Sequence, residues 1–590
     1  MKIFLSLPFF WILGTAIAAG QQASEIRLNQ LGYYSRCPKV ALVADAGTAK
    51  FFLRDTRDGK VAYTGTLNQQ ELSGGSRQGM SLADFSSFTR PGRYELSIPE
   101  TGTSYPFSIG AGVYKELASA SVKAFYYQRV SEPLSASHAG KWARAAGHPD
   151  TSVLIHPSAA SEGRAAGSRI FSPGGWYDAG DYNKYIVNSG ITMGTLLSLC
   201  EDFPDYVSGL DLNIPESNNR VPDILDEVLC NLRWMLTMQD PSDGGVYHKL
   251  TNAEFDGMVM PGITKADRYV VQKGTAATLD FAAVTAQAAR VLRKYGKELP
   301  GLSDSCLKAS VRAWGWARTK PALLYDQERN NTLYKPAVNT GGYGDRDLSD
   351  EWIWAAAELA VTTGDDAYCR AVNFFPDEKM PLPSWGNVRL LAYYTLLRSR
   401  AKLSPAIQVR IPDLKVRLLK FADQLLAAAR TSPFKTPMGG TDHDFIWGSN
   451  AVAANQGIAL IQAYLGTGAK KYLDAAAANL DYLLGRNGTG YSFITGYGSK
   501  TPMHPHHRPS AADGVEEPVP GLLVGGPNPG QQDRVPLPSA IPSEAYADDE
   551  RSYATNEIAI NWNAPLAYLV NALEALQYRS GYSPAGKQAF

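Results

Sequence analysis

Val221-Pro222-Asp223-Ile224-Leu225-Asp226-Glu227-Val228-Leu229, continued by Leu232 and Leu236, is the stretch that decides the fold. Pro222 stands where a helix can begin, because the first helical N–H has no partner to lose. Leu225, Leu229, Leu232 and Leu236 then recur at three- and four-residue spacing and mark one apolar face. The same period returns around 113–127, 190–202, 275–295, 305–318, 350–363, 386–399, 412–429, 449–466, 470–484 and 557–578. This predicts a mainly α protein of roughly a dozen helices, with few convincing strands between them. Many are rich in Ala, which permits close helix packing. Such a set can form a bundle, a solenoid or a toroid of helical hairpins, and the absence of a fixed sequence repeat counts against a regular solenoid.

Upstream of residue 110 the period is that of strands. Ile26 to Tyr33 alternates, Lys39 to Val43 and Ala49 to Asp55 follow, and Gly92 to Ile98 and Tyr105 to Ile109 close the set. Short strands at regular spacing within 25–109 suggest an immunoglobulin-like sandwich. The helical region is then expected over 110–580. Lys2, the apolar run Ile3 to Ile17 and the small residues Ala16-Ile17-Ala18 read as a signal peptide over 1–18. That run is too short for a spanning helix. The expectation is an exported soluble protein, secreted or periplasmic.

The chain has 590 residues, 44% hydrophobic and 19% charged, with 57 basic and 57 acidic side chains. The zero net charge gives no sign of a nucleic-acid or membrane partner. The five cysteines, Cys37, Cys200, Cys230, Cys306 and Cys369, are widely spaced without a Cys-x-x-Cys pair, so a zinc knuckle or redox motif is not expected. One segment breaks the helical pattern: 488–549 holds eight prolines between Pro509 and Pro542. A loop this long is usually functional or disordered, and it reads here as an ordered lid or cleft wall.

Two carboxylate clusters could do chemistry. Gly174-Gly175-Trp176-Tyr177-Asp178-Ala179-Gly180-Asp181-Tyr182-Asn183 places two acids three apart among large rings. Asp-Ala-Gly-Asp alone is good turn material, but two carboxylates can also share a water, one orienting it and one taking its proton. Far downstream, Tyr553-Ala554-Thr555-Asn556-Glu557 opens a long apolar segment. Asn556 reads as a helix cap and Glu557 as a first-turn residue whose pKa the helix dipole would lower. A general-acid role then needs an upward push from burial or a neighbouring carboxylate, for which Asp548 is the candidate. The His504-Pro505-His506-His507-Arg508 run could hold zinc, but no third-ligand spacing accompanies it, and hydrogen bonding to sugar hydroxyls reads better.

Ser492-Phe493-Ile494-Thr495-Gly496-Tyr497-Gly498-Ser499-Lys500, running on to His506-His507-Arg508, resembles the first signature of glycoside hydrolase family 9. Tyr546, Asp548, Tyr553, Glu557, Ala559, Asn563 and Ala564 resemble the second, and the Asp178 to Asp181 box resembles a third landmark. The N-terminal sandwich is similar to the immunoglobulin-like domain that precedes one branch of that family. The resemblance implies an (α/α)6 toroid and inverting hydrolysis of internal β-1,4-glucosidic bonds in cellulose-like glucans. It implies Asp181 as general base, Asp178 as a second holder of the water and Glu557 as general acid. His506 and Arg508 would bind sugar, and Asp548 and Tyr553 would support Glu557 or the substrate. Trp447 and Trp176 are candidate stacking residues.

No cofactor is required for such chemistry, and a monomer acting on a β-glucan is expected. Relatives with the sandwich often carry a zinc site, but no Cys stands at Val130 or Gly147, so that zinc is not expected. Calcium is common in the family, and Asp345, Asp347 and Asp350 offer closely spaced oxygens; a capped helix start is the competing reading. Xyloglucan, mixed-linkage glucan or glucosamine oligomers are alternative substrates, and exo action an alternative mode. A non-catalytic carbohydrate-binding protein is the remote alternative.

Overall fold

The computed structural model describes residues 25–44, 49–69 and 80–584; the signal peptide read over 1–18 lies outside the described residues. The N-terminal region is a two-sheet sandwich. Its strands are β1 (Ile26–Arg27), β2 (Gly32–Tyr33), β3 (Val40–Ala44), β4 (Lys50–Asp55), β5 (Val61–Thr66), β6 (Asn68–Gln69), β7 (Met80–Asp84), β8 (Gly92–Ile98), β9 (Gly102–Thr103) and β10 (Phe107–Ile109). One sheet has the order β1-β3-β7-β6, the other β2-β10-β8-β4-β5 with β9 beside β8. Alternation in β8 sends Tyr94, Leu96 and Ile98 inward, the two-residue period of a pleated strand. Tyr33, Phe85 and Phe107 pack edge-on or tilted at 5.4–5.7 Å between centroids. The stretch 26–33, expected as one strand, is two. Between them the Asn29 side chain accepts from the backbone N–H groups of Leu31 and Gly32 and turns the chain.

The helical region is an (α/α)6 barrel. Its helices are α1 (Lys115–Tyr127), α2 (Ile186–Asp202), α3 (Asp223–Thr237), α4 (Thr275–Leu292), α5 (Leu302–Thr319), α6 (Ser349–Thr363), α7 (Ala367–Arg370), α8 (Arg389–Arg398), α9 (Ile411–Thr431), α10 (Ser449–Thr467), α11 (Lys470–Leu483) and α12 (Ile560–Leu576). The even-numbered helices form the inner ring: α2 packs on α12 and α4, α4 on α6, α6 on α8, and α10 on α12. Their sequences explain the position. α4 buries every residue except Arg290 and is rich in Ala, so its neighbours approach closely on all sides. The outer α9 buries only the stripe Ile411, Leu414, Leu418, Ala422 and Leu425. Each such leucine stabilises the fold by about 1.5–3 kcal/mol. The outer position between α6 and α8 is taken by the single turn α7.

Between these helices lies a third sheet that sequence periodicity did not show. It has the order β12-β11-β15-β14-β13, from Val153–Ile155 (β11), Arg169–Ile170 (β12), Lys184–Tyr185 (β13), Lys249–Asn252 (β14) and Arg268–Val270 (β15). β13 follows the Asp178–Asp181 box directly and runs into α2, so the sheet fixes where that box sits.

The sandwich is hydrogen-bonded into the barrel. Asn29 donates to Asp481 at 2.8 Å and Tyr34 to Glu574 at 2.6 Å. Gln30 Oε1 accepts from the N–H groups of both Ser499 and Lys500 at 2.8 Å. The Pro-rich segment is an ordered wall: Ile494 bridges Leu523, and Val524 bridges Ile558 ahead of α12. The five cysteines are all unpaired.

Candidate active site

Asp178 is fully buried. Both its oxygens accept from Asn188 Nδ2 at 2.9 and 2.8 Å, and Oδ2 also accepts from the Tyr343 hydroxyl at 3.2 Å. Burial pushes this carboxyl well above its ordinary range, and the charge of Asp181 pushes it further. Asp181 Oδ2 accepts from Asn183 Nδ2 at 2.5 Å and from the Tyr185 hydroxyl at 3.2 Å. Both acids are thus oriented by neutral donors, which fix geometry without adding charge.

Main-chain contacts bring Glu557 to this box. Ile560 N–H donates to the Asp178 carbonyl at 2.8 Å, and Ala179 bridges Ala559. On the other side His506 bridges Glu557, and Gly525 N–H donates to the Glu557 carbonyl at 2.8 Å. Gly180 makes the approach feasible: a Cβ there would lie 2.0 Å from the His506 carbonyl oxygen. Two segments more than 300 residues apart in sequence therefore meet at one place.

Glu557 does not open the terminal helix, as its sequence context suggested. It is extended, with φ −70° and ψ 152°, and α12 starts three residues later. The Asn556 side chain is no helix cap; it donates to the His504 carbonyl and to Asp548. The dipole argument therefore falls away. Burial raises the Glu557 carboxyl well above its usual range, followed by the charges of Asp181 and Asp178. Arg508 and a hydrogen bond from Gly180 pull in the other direction. The carboxylates that chiefly raise Glu557 are thus Asp181 and Asp178, while Asp548 is engaged elsewhere. Its oxygens accept from the N–H groups of Met503 and His504 and anchor the loop that carries His506.

His506 Nδ1 donates to the Glu550 carbonyl at 2.5 Å, which assigns the tautomer and leaves Nε2 as acceptor. Arg508 is buried, with Nη1 on the Gly180 carbonyl at 2.7 Å and Nε on the Asp256 carbonyl at 2.9 Å. Tyr553 lies 6.0 Å from the His506 ring and 5.4 Å from Trp447, whose side is 42% exposed. These three rings make a continuous aromatic track beside Glu557. Trp176 is not part of any track: it is fully buried against Phe125 and belongs to the core.

Asn183 and Tyr185 lie in or beside the motif already singled out, whereas Asn188 and Tyr343 gave no local signal and are recognised only once the fold brings them to Asp178. Tyr343 has φ +50°, a left-handed conformation that bulky residues rarely adopt and that recurs at sites under functional constraint.

The calcium expectation is revised in membership. Asp347 is exposed and accepts from Ser349 N–H at 3.0 Å, in a turn just ahead of α6. Asp345, Asp350 and Glu351 are joined instead by Asp280 of α4. Both Asp280 oxygens, Asp345 Oδ2, Asp350 Oδ1 and Glu351 Oε2 are buried without a hydrogen-bond partner. Burial, then mutual repulsion, raises Asp280 and Glu351 well above the ordinary carboxylate range; Asp350 is pushed up to about 6, mainly by burial. Hard oxygen donors left unpaired in this way suit a calcium ion. As they stand among the described residues, however, no three His, Cys, Asp or Glu side chains are gathered tightly enough to hold one.

Known proteins share this architecture. The model of glycosyl hydrolase family 9 matches residues 114–570, and that of the cellulase N-terminal ig-like domain matches residues 21–103. A xyloglucan-specific endo-beta-1,4-glucanase of Bacteroides ovatus is 47% identical over 583 residues, covering 98% of this chain and 99% of its own. Endoglucanase D of Acetivibrio thermocellus is 34% identical over 553 residues, covering 92% and 82%. Among solved structures, a Bacteroides ovatus GH9 protein superposes with TM-score 0.89 at 46% identity, over 94% of this chain and 99% of its own. A thermostable endoglucanase from Alicyclobacillus acidocaldarius superposes at 0.82 with 33% identity, over 94% and 99%.

Proposed function

Because the chain belongs to glycoside hydrolase family 9, with the family's immunoglobulin-like domain at its N-terminus, we propose that it is an endo-β-1,4-glucanase that inverts the anomeric centre. The observation that carries this reading is the meeting of two separate carboxylate sets in one cleft. Glu557 is pushed towards its protonated form by burial and by both aspartates, while Asp178 and Asp181 are held by amide and phenol donors. A raised carboxyl opposite an oriented pair is what acid–base hydrolysis of a glycoside requires.

In this mechanism Glu557 protonates the departing glycosidic oxygen. Asp181 removes a proton from the attacking water, which Asp178 helps to hold. Proton and water act on opposite faces of the sugar, so the product is released with inverted configuration. The neutral His506 Nε2 accepts from a sugar hydroxyl, Arg508 borders the same sugar, and the Trp447–Tyr553 track stacks on glucose faces. Xyloglucan is the favoured polymer, on the strength of the name borne by the Bacteroides ovatus relative and its near full-length match. Asp280, Asp345, Asp350 and Glu351 would have to draw closer together to hold calcium, and an ion held there would tie α4 to α6 and neutralise their charge. Residues 1–18 would direct export, and among the described residues no helix is long and apolar enough to cross a membrane.

The test is proton NMR of a fresh digest, of a cello-oligosaccharide and of xyloglucan oligosaccharides in parallel, read before mutarotation. An initial α signal from the β linkage is expected. An initial β signal would remove the assigned roles of Asp181 and Glu557. Faster cleavage of the unbranched substrate would move the preference to cellulose-like glucans.

A further inference from the structure

Lys249 stands beside Tyr185, and this mechanism leaves it unused. Its side chain is fully buried, yet among the described residues no carboxylate lies within ion-pair distance of it. Its ammonium is instead wrapped by neutral oxygens: Gln327 Oε1 at 2.7 Å, Thr340 Oγ1 at 2.9 Å and the Gly341 carbonyl at 2.7 Å. A buried unpaired ammonium is costly and normally loses its proton or finds a counter-charge.

The strand register shows what lies beside it. Lys249 of β14 stands directly opposite Tyr185 of β13. Its Nζ lies 5.5 Å from the Tyr185 ring centre, and the Tyr185 hydroxyl donates to Asp181 Oδ2. The same hydroxyl accepts from Gly341 N–H at 3.1 Å, so Lys249 also grips the strap that fixes Tyr185. Next to it, His248 Nε2 donates to the Gly342 carbonyl at 2.8 Å. Together these two side chains hold the strap 340–343, whose last residue presents its hydroxyl to Asp178.

We propose that Lys249 is a positioning residue for hydrolysis: from beneath the Tyr185 ring it supplies the positive charge that balances the Asp181 carboxylate, and it clamps the strap that orients both aspartates. The inference rests on Asp181 being the base. Burial lowers the ammonium to about 7, with Asp181 acting against that fall. The other groups facing Lys249 are His248, His156, Tyr185 and Tyr325; those facing Asp181 are Asp178, Glu557, His506, Tyr185 and Tyr343. Among the described residues Lys249 is the cation that lies against the Tyr185 ring, whereas Arg508 acts on Glu557.

The test is the pH profile of kcat/KM for the full chain and for Lys249→Met, Lys249→Arg and Gln327→Glu, each checked for folding by circular dichroism. The acidic limb reports the base that must be ionised. Lys249→Met should move that limb to higher pH by about one unit, a tenfold loss on the limb beyond any loss on the plateau. Lys249→Arg should return it. Gln327→Glu keeps the lysine but places a competing carboxylate on it at a half-buried site, and should move the limb the same way even if Lys249→Met does not fold. Parallel profiles in Gln327→Glu and in any folded Lys249→Met overturn the proposal, whatever the loss of kcat. If the parent itself shows no acidic limb on any β-1,4-glucan, it is the assignment of Asp181 that fails.

Discussion

Replacing Gly180 by alanine probes the cleft with a single methyl group. The added Cβ would lie 2.0 Å from the His506 carbonyl oxygen and 3.0 Å from its carbon, whereas ordinary contact begins at 3.4 Å. The obstacle is backbone and cannot rotate away, so one segment must retreat by more than about 1 Å. Retreat strains the hydrogen bonds that tie the segments together, Arg508 N–H to the Gly180 carbonyl and His506 N–H to the Asn556 carbonyl. It also moves Glu557, bridged to His506, away from Asp181. A displacement of about 1 Å at reacting groups costs about 100-fold in rate, and overpacking of this kind costs about 1–3 kcal/mol of stability. The assay is kcat and KM on a defined glucan oligosaccharide, with melting temperature by calorimetry. Gly315→Ala is the control: that glycine lies within α5 with nothing within 4 Å of its added Cβ. The expected result is a fall of about 100-fold in kcat for Gly180→Ala and parental turnover for the control. A Gly180→Ala enzyme with more than half the parental kcat and an unchanged melting temperature would refute the claim that this contact sets the distance between acid and base.

Four further outcomes are expected. Glu557→Gln should lose turnover on natural glucans by about 10²–10⁴-fold while keeping much of its rate on a substrate whose leaving group needs no proton; equal losses on both would deny it the acid role. Asp178→Asn removes a charge that raises Glu557, so the basic limb of the kcat profile should move to lower pH; an unmoved limb would disconnect the two groups. The Asp280–Asp345–Asp350–Glu351 set has raised folded-state pKa values, so without metal its contribution to stability is present at low pH and is lost as pH rises through about 6, the value at Asp350. Calcium should therefore raise the melting temperature more at pH 7 than at pH 5, and Asp280→Asn should shrink that difference; equal gains at both pH values would argue against binding there. Removing residues 25–109 should leave a barrel that aggregates or melts far below the parent, and a stable, fully active truncation would show that the sandwich is dispensable.

The helical half of the fold was legible because each long helix carries its own period: Leu225, Leu229 and Leu232 point inward as their spacing implies. The third sheet was not, because two- to four-residue strands such as Lys184–Tyr185 have no period to read. They hold together through side-chain anchors, as where Asn183 Oδ1 accepts from Asn252 N–H and from the Thr251 hydroxyl. The fold brings Glu557 to the Asp178–Asp181 box, as expected from the sequence, but its local conformation is not the first helical turn that was read there. Asn556 looks like a cap in isolation, and only the presence of Asp548 and the His504 carbonyl shows that its amide is already engaged. Trp176 misled for the complementary reason, since a ring beside an acidic turn reads alike whether it faces sugar or core. Tyr343 and Lys249 lie 165 and 68 positions from the aspartates they serve, and no local pattern links them.

The hydrogen bonds from Ser499 and Lys500 to Gln30 have a consequence for how this enzyme can fail. The stretch they secure leads, within a few residues, to His504, His506 and Arg508. A domain with no side chain among the acid, the base or the aromatic track therefore holds one bank of the cleft in place. On heating, activity should disappear when the sandwich lets go, ahead of any melting of the inner helices. The working lifetime of the catalyst would then be set by a glutamine in its accessory domain, and grafting a foreign sandwich onto the barrel would succeed only where that glutamine's contacts with Gly490, Ser499 and Lys500 are rebuilt.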